Sequence, residues 1–162
     1  MSYREIDVAG DTAVALVEKN FGEKTVLWHS ECSWTKGNDI KVVLRYHIRG
    51  NMNSDWETME FGPFTVSEVI SLLPDEARSS AFALINALRL RAQECESLKR
   101  RIGDTIKKEI VDPGNTPYEI DEKIRRFFFK EDFRKVAKYE ALIWLTKKPR
   151  GWSDFVQTYT AS

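Results

Sequence analysis

From Ile40 to Ile48 apolar residues occupy every second position, and from Ala77 to Ile110 they recur every third or fourth, with a single step of one at Leu84 and Ile85. That change of period constrains the fold more than any other feature of the chain. Alternation by two places successive side chains on opposite faces of a strand, whereas spacing by three and four lines one face of a helix. The chain must therefore build a sheet first and a helical layer second, which is an α+β fold. At 162 residues it has room for one domain with a real core. We read residues 1–64 as a mainly β subregion and 65–162 as a helical subregion of that single domain.

Within the β subregion, DTAVALVEKN (11–20) predicts a short N-terminal helix opened by a capping Asp. Val26, Trp28, Cys32 and Trp34 then share a period of two, with Ser30 the polar member of the row. The turn-like TKGND leads into the clearest strand, with Ile40, Val42, Leu44, Tyr46 and Ile48 on one face and Lys41, Val43, Arg45, His47 and Arg49 on the other. WETMEF (56–61) predicts a third strand, ended by Gly62 and Pro63. Short connections favour a three-stranded antiparallel meander with one face buried.

The helical subregion opens at Thr65 and Glu68, which have the spacing of a capping box. From Asp75 the apolar series Ala77, Ala81, Leu84, Ile85, Leu88, Ala92, Cys95, Leu98, Ile102, Ile106 and Ile110 runs without an interrupting proline. It predicts one long helix over 75–111. About 35 helical residues would span about 50 Å, more than a domain of this size is wide. Such a helix is expected either to break near Gly103 or to project toward a partner. DPGNTP (112–117) ends it and starts the next helix, with Thr116, Pro117 and Glu119 forming a second capping box. Ile120, Ile124, Phe127 and Phe128 mark that helix's apolar face. A last substantial helix buries Phe133, Val136, Ala137, Ala141 and Trp144 or Leu145, and the tail from Gly151 is expected to add one short turn.

The formal net charge is zero, which hides a segregation. Residues 1–64 carry 7 Lys+Arg against 10 Asp+Glu, and residues 99–150 carry 15 against 9. Cys32 and Cys95 cannot make a disulfide framework, so reduced thiols are expected. The acidic N-terminus lacks the apolar centre of a signal peptide, and no apolar run approaches a bilayer span. These features predict a cytoplasmic protein with no membrane partner. No P-loop, dinucleotide fingerprint, nucleophile elbow or zinc-ligand spacing occurs. We therefore expect no catalytic residue, no cofactor and no metal.

WHSECSW (28–34) sets a histidine, a glutamate and a cysteine between two tryptophans. In a strand, His29 and Cys32 point to opposite faces, so the motif reads as core, with Trp28, Cys32 and Trp34 inward and His29 and Glu31 outward. The alternative is a small enzyme with a site around His29 and His47, drawing on Glu31 or Cys32.

Two surfaces are candidates for binding. Leu84, Leu88, Cys95, Leu98 and Ile102 fall in one heptad register of the long helix, interrupted by Arg91 and Thr105. Arg89, Arg91, Glu94, Glu96, Lys99 and Arg100 are expected to clothe its flanks. The function expected is a non-enzymatic binding protein, an adaptor, regulator or inhibitor, such as a phage or mobile-element accessory protein. It would contact another protein, or itself in a homodimer, through Arg91, Leu98, Arg101 and Ile102. The second surface is nucleic-acid binding by Arg125, Arg126, Lys130, Arg134, Lys135 and Lys138, where basic residues interleave with aromatics. Phe129, Tyr139 and Trp152 are the aromatics least committed to the core.

Overall fold

A computed structural model describes residues 26–48, 57–126, 130–147 and 151–161. The expected helix over 11–20, Trp56 and Phe127 to Phe129 lie outside the described residues. Three antiparallel strands, β1 (Val26–Trp34), β2 (Ile40–Ile48) and β3 (Glu57–Phe64), pair in sequence order. Trp28 sits opposite Tyr46, Cys32 opposite Val42, and Leu44 opposite Met59, so the alternating apolar rows coincide on one face. The β1–β2 turn closes through Asn38, whose φ of 61° is the left-handed conformation that asparagine tolerates.

β3 does not stop at Gly62 and Pro63 as expected. The register shifts between Ile40 and Val42, and the bulge carries the strand on to Phe64, which is fully buried opposite Ile40. Gly62 is required there: at φ 99° an added Cβ would lie 2.8 Å from the Ile40 carbonyl oxygen. Pro63 is tolerated because a bulge leaves its missing N–H unneeded.

The helices follow as α1 (Val66–Ile70), a 3-10 turn (Asp75–Arg78), α2 (Ala81–Thr105), α3 (Pro117–Arg126), α4 (Lys130–Lys147) and α5 (Trp152–Ala161). Both capping boxes form. Thr65 Oγ1 accepts from Glu68 N–H at 3.0 Å, and Thr116 Oγ1 accepts from Glu119 N–H at 3.2 Å. The long helix starts six residues later than expected, because Ser80 turns the chain out of the 3-10 turn and caps α2 through Ala83 N–H. It neither breaks at Gly103 nor projects. Gly103 is a buried helical residue, and the chain continues from Thr105 into a π turn, Ile106–Val111. Ile102, Ile106 and Ile110 have essentially no exposed surface, so the far end of the helix is packed within its own domain.

α4 is the axis of the molecule. It lies against all three strands on one side and against α2 on the other, running antiparallel to α2. Phe133, Val136, Ala137, Ala141 and Leu142 are fully buried along it. Phe133 meets Trp28 at 5.2 Å between ring centroids and Trp144 meets Trp34 at 5.2 Å, so the two tryptophans of WHSECSW seat the two ends of α4 on β1. The tail forms a ten-residue helix rather than one turn. Trp152, Phe155 and Tyr159 stack along its inner face, and Trp152 is buried rather than free. Among the described residues no helix is long and apolar enough to cross a membrane.

Candidate partner-binding groove

α2 and α4 enclose a hydrogen-bonded cluster that fixes their spacing. Lys99 on α2 and Glu140 on α4 form an ion pair and are only 1% and 7% exposed. Ser30 of β1 donates to Glu140 Oε2 at 3.1 Å, and the Cys95 thiol lies 3.6 Å from Oε1. One carboxylate thus ties sheet, central helix and long helix together. Burial alone would pull the Lys99 ammonium down, but Cys95 and Glu140 outweigh it and hold it above its ordinary value. Cys95 is itself pushed up, chiefly by burial, and remains a thiol, so Glu140 supplies the charge that holds Lys99 protonated. Burial, with help from the charge of Glu140, raises Cys32 to about 12. Lys99 and Glu96 had been expected on the solvated flanks of the helix; both are buried, Glu96 beside Arg100.

On the solvent side of this cluster the same two helices leave an open groove of about 610 Å³. Leu98 forms its floor, Leu90 and Tyr139 its apolar walls, and Arg101 and Lys135 its basic end. Leu90 is 55% exposed, which makes it one of three large apolar side chains so exposed among the described residues, with Phe82 and Tyr118. Tyr139 donates its hydroxyl to Glu94 across one end at 3.1 Å, and Arg101 lies 3.4 Å from Asp132 at the other. With Lys99 and Glu140 behind, these cross-links make the groove a preformed feature of the helix pair.

Of the four residues expected to bind a partner, Leu98 and Arg101 line the groove. Arg91 and Ile102 do not. Arg91 is half-buried and works inside the fold, its Nε donating to the Leu72 carbonyl at 2.6 Å and its guanidinium pairing with Glu94. Ile102 is fully buried. The heptad residues Leu84, Leu88, Cys95, Leu98 and Ile102 all belong to the protein's own core, so that register offers no free coiled-coil seam. Leu90, Gln93, Glu94 and Ser97 were not anticipated as lining residues. Leu90 carried a signal: with Phe82 it is one of two large apolar residues of α2 that fall off the apolar series.

The basic set divides. Arg125 pairs with Glu57, Arg126 with Glu122 at 3.3 Å, and Lys138 with Glu68 at 3.3 Å, while Arg134 reaches Glu68 at 4.0 Å. Arg134 and Lys138 also cover the ring of Phe64 at 5.0 and 5.6 Å. Lys130 and Lys135 are exposed with no carboxylate partner among the described residues. Beside Arg125, burial and then the charge and hydrogen bond of Glu57 push Asp121 up to about 6.

On the outer sheet face His29 contacts Glu31 at 3.3 Å, and Glu31 pairs with Arg45 at 3.2 Å. Cys32 faces the opposite way, toward Glu140, and His47 lies diagonal to His29 across the strand pair. His29, Glu31 and His47 therefore share the outer face, and of the suspected site only Cys32 lies on the other. Among the described residues no three His, Cys, Asp or Glu side chains gather as metal ligands would. Compared with models of protein families, with curated proteins and with solved structures, the chain matches none.

Proposed function

We propose that this is a non-catalytic binding protein, an adaptor, regulator or inhibitor, that engages another protein through the groove between α2 and α4. The observation that carries this reading is Leu90, a large apolar side chain more than half exposed at the mouth of a groove of about 610 Å³ whose walls are cross-linked on both sides. A preformed groove with an apolar anchor is what helix-in-groove recognition uses, since little ordering remains to be done on binding. Catalysis has thinner support, because neither thiol faces His29 and His47: Cys32 lies on the inner face of the sheet and Cys95 is buried on α2. Nucleic-acid binding also has thinner support. Four of its six proposed contacts face carboxylates of the same chain, which compete with phosphate for them.

A photo-crosslinking amino acid at Gln93, inside the groove, compared with one at exposed Lys108, outside it, tests the reading in cell extract. The expected result is one discrete adduct from position 93, none from 108, and loss of the adduct when Leu90→Asp is added. Equal labelling from both positions, or an adduct indifferent to Leu90→Asp, would refute groove binding.

A further inference from the structure

The charges around the groove are unequally satisfied, and this bears on what fills it; the argument rests on the groove reading above. Glu94 is the one carboxylate lining the groove, and both its oxygens are engaged. Oε1 accepts from Arg91 at 2.9 Å and Oε2 from the Tyr139 hydroxyl at 3.1 Å. At the other end two cations line the groove, and only one has a carboxylate partner, Arg101, 3.4 Å from Asp132. Lys135 has no carboxylate partner among the described residues. The groove therefore holds a surplus positive charge at one end and no available negative charge at the other.

Its length and polarity match a short helix. Leu90 and Arg101 lie eleven positions apart on α2, about 16 Å at the rise of an α-helix, or three turns. Apolar surface lies at the Leu90 end and along the Leu98 floor, Gln93 and Ser97 form a polar middle, and the cations close the far end. We infer that the groove takes an amphipathic helix of about three turns, with apolar residues against Leu90 and Leu98 and an aspartate or glutamate at the end that meets Arg101 and Lys135. A carboxylate there would gain charge-assisted hydrogen bonds from two donors while displacing no internal partner of Lys135. A second copy of this chain is a poorer occupant. A two-fold contact centred on the middle of the groove, between Cys95 and Glu96, sets Leu90 against Arg101, an apolar side chain against a charge.

The test is selection of displayed, randomised 12-residue peptides on the full chain, followed by fluorescence anisotropy of the selected peptides. Wild type is compared with Leu90→Asp and Lys135→Glu, both exposed positions whose substitution is checked for unchanged helicity by circular dichroism. The expected peptides carry Asp or Glu near one end and apolar residues at spacings of three and four. Leu90→Asp abolishes their binding. Lys135→Glu weakens it roughly tenfold, as an attractive charge pair becomes a repulsive one, and replacing the peptide's acid by Lys restores it. Peptides that need Leu90 but show no acidic preference and ignore Lys135→Glu overturn the acidic inference and leave the groove reading standing. Failure to select any Leu90-dependent peptide overturns both. A concentration-dependent dimer lost in Leu90→Asp overturns the inference by assigning the groove to a second copy.

Discussion

Replacing Lys99 by methionine strands Glu140 in the interior with only Ser30 and Cys95 to answer it, two neutral donors for a full charge. Removing one member of a buried pair typically costs about 3–5 kcal/mol, because the survivor keeps its desolvation penalty without its partner. Against a total of about 5–15 kcal/mol for a small domain, that is a large fraction. Glu140→Leu should cost a similar amount by stranding Lys99. The double variant Lys99→Met/Glu140→Leu strands no charge and fills the same volume with apolar atoms, which is commonly neutral or stabilising by about 1–4 kcal/mol. It also leaves the Ser30 hydroxyl without its acceptor, a loss of about 1 kcal/mol. The double variant is therefore expected within about 2 kcal/mol of wild type, whereas adding the two single losses would predict about 6–10.

Urea unfolding followed by tryptophan fluorescence reads this directly. Trp28 and Trp34 contact Phe133 and Trp144 on either side of Glu140 along α4, so their emission reports on the interface the pair organises. With a slope of about 2 kcal/mol per molar urea, each single variant should lose about 2 M in midpoint. A Lys99→Met midpoint within about 0.5 M of wild type would show that the charge of Glu140 is answered by water or by another group. A double variant as damaged as the sum of the singles would show that packing, not charge, dominates the site.

Two further expectations concern protonation. Cys32, raised to about 12, holds roughly one thiolate in ten thousand at pH 8, and Cys95 is pushed up as well. Iodoacetamide at pH 8 should leave both unmodified for hours in the native protein and label both in denaturant; rapid native alkylation of Cys32, read by mass spectrometry, contradicts the burial argument. Asp121, raised from 3.8 to about 6, binds its proton more tightly folded than unfolded, so its contribution to stability is present below about pH 4 and lost as pH rises through 6. Asp121→Asn should therefore melt higher than wild type at pH 7, with the difference closing by pH 4. A variant that melts lower at pH 7 would mean that ionised Asp121 is stabilised by Arg125 more than it is opposed by Glu57.

The fold was legible where side-chain period and punctuation agreed. The alternation of Ile40 to Ile48, the two capping boxes and the turn at 112–116 each name a local geometry with one cheap solution. The parts that were not legible depend on what meets what. A Gly-Pro pair reads as a strand end until Ile40 is known to approach Gly62 closely, and then it reads as a bulge. Ser80 reads as one more polar residue until the 3-10 turn before it makes a new cap necessary. Trp152, Phe155 and Tyr159 did have helical spacing, so α5 was written in the tail. The groove was half legible. Leu98 and Arg101 lie on the faces that periodicity assigns, but Tyr139 and Lys135 join them only because α4 runs antiparallel to α2. The buried pair left a trace of its own: Lys99 follows Cys95 by four, and Glu140 follows Val136 by four, so each charge stands on an apolar stripe.

That pair adds to what holds α4 in register. Apart from Phe133, Glu140 and Thr146, the buried residues of α4 are Val136, Ala137, Ala141, Leu142 and Ile143, small and medium apolar residues that would pack nearly as well one turn along, so its register rests on the aromatic contacts at its two ends and on the buried pair between them. A slip of one turn moves α4 by about 5.4 Å. It would carry Glu140 away from Lys99 and Ser30 at once, leaving charges on both helices unanswered in the interior. The same slip would part Tyr139 from Glu94 and Asp132 from Arg101, and would move Lys135 along the groove away from Arg101. The polar cluster behind the groove and the arrangement of charges within it are thus set by one registration. A surface that recognises a partner by the position of its charges needs that registration to be unique, and two buried charges enforce uniqueness where alanine and valine cannot.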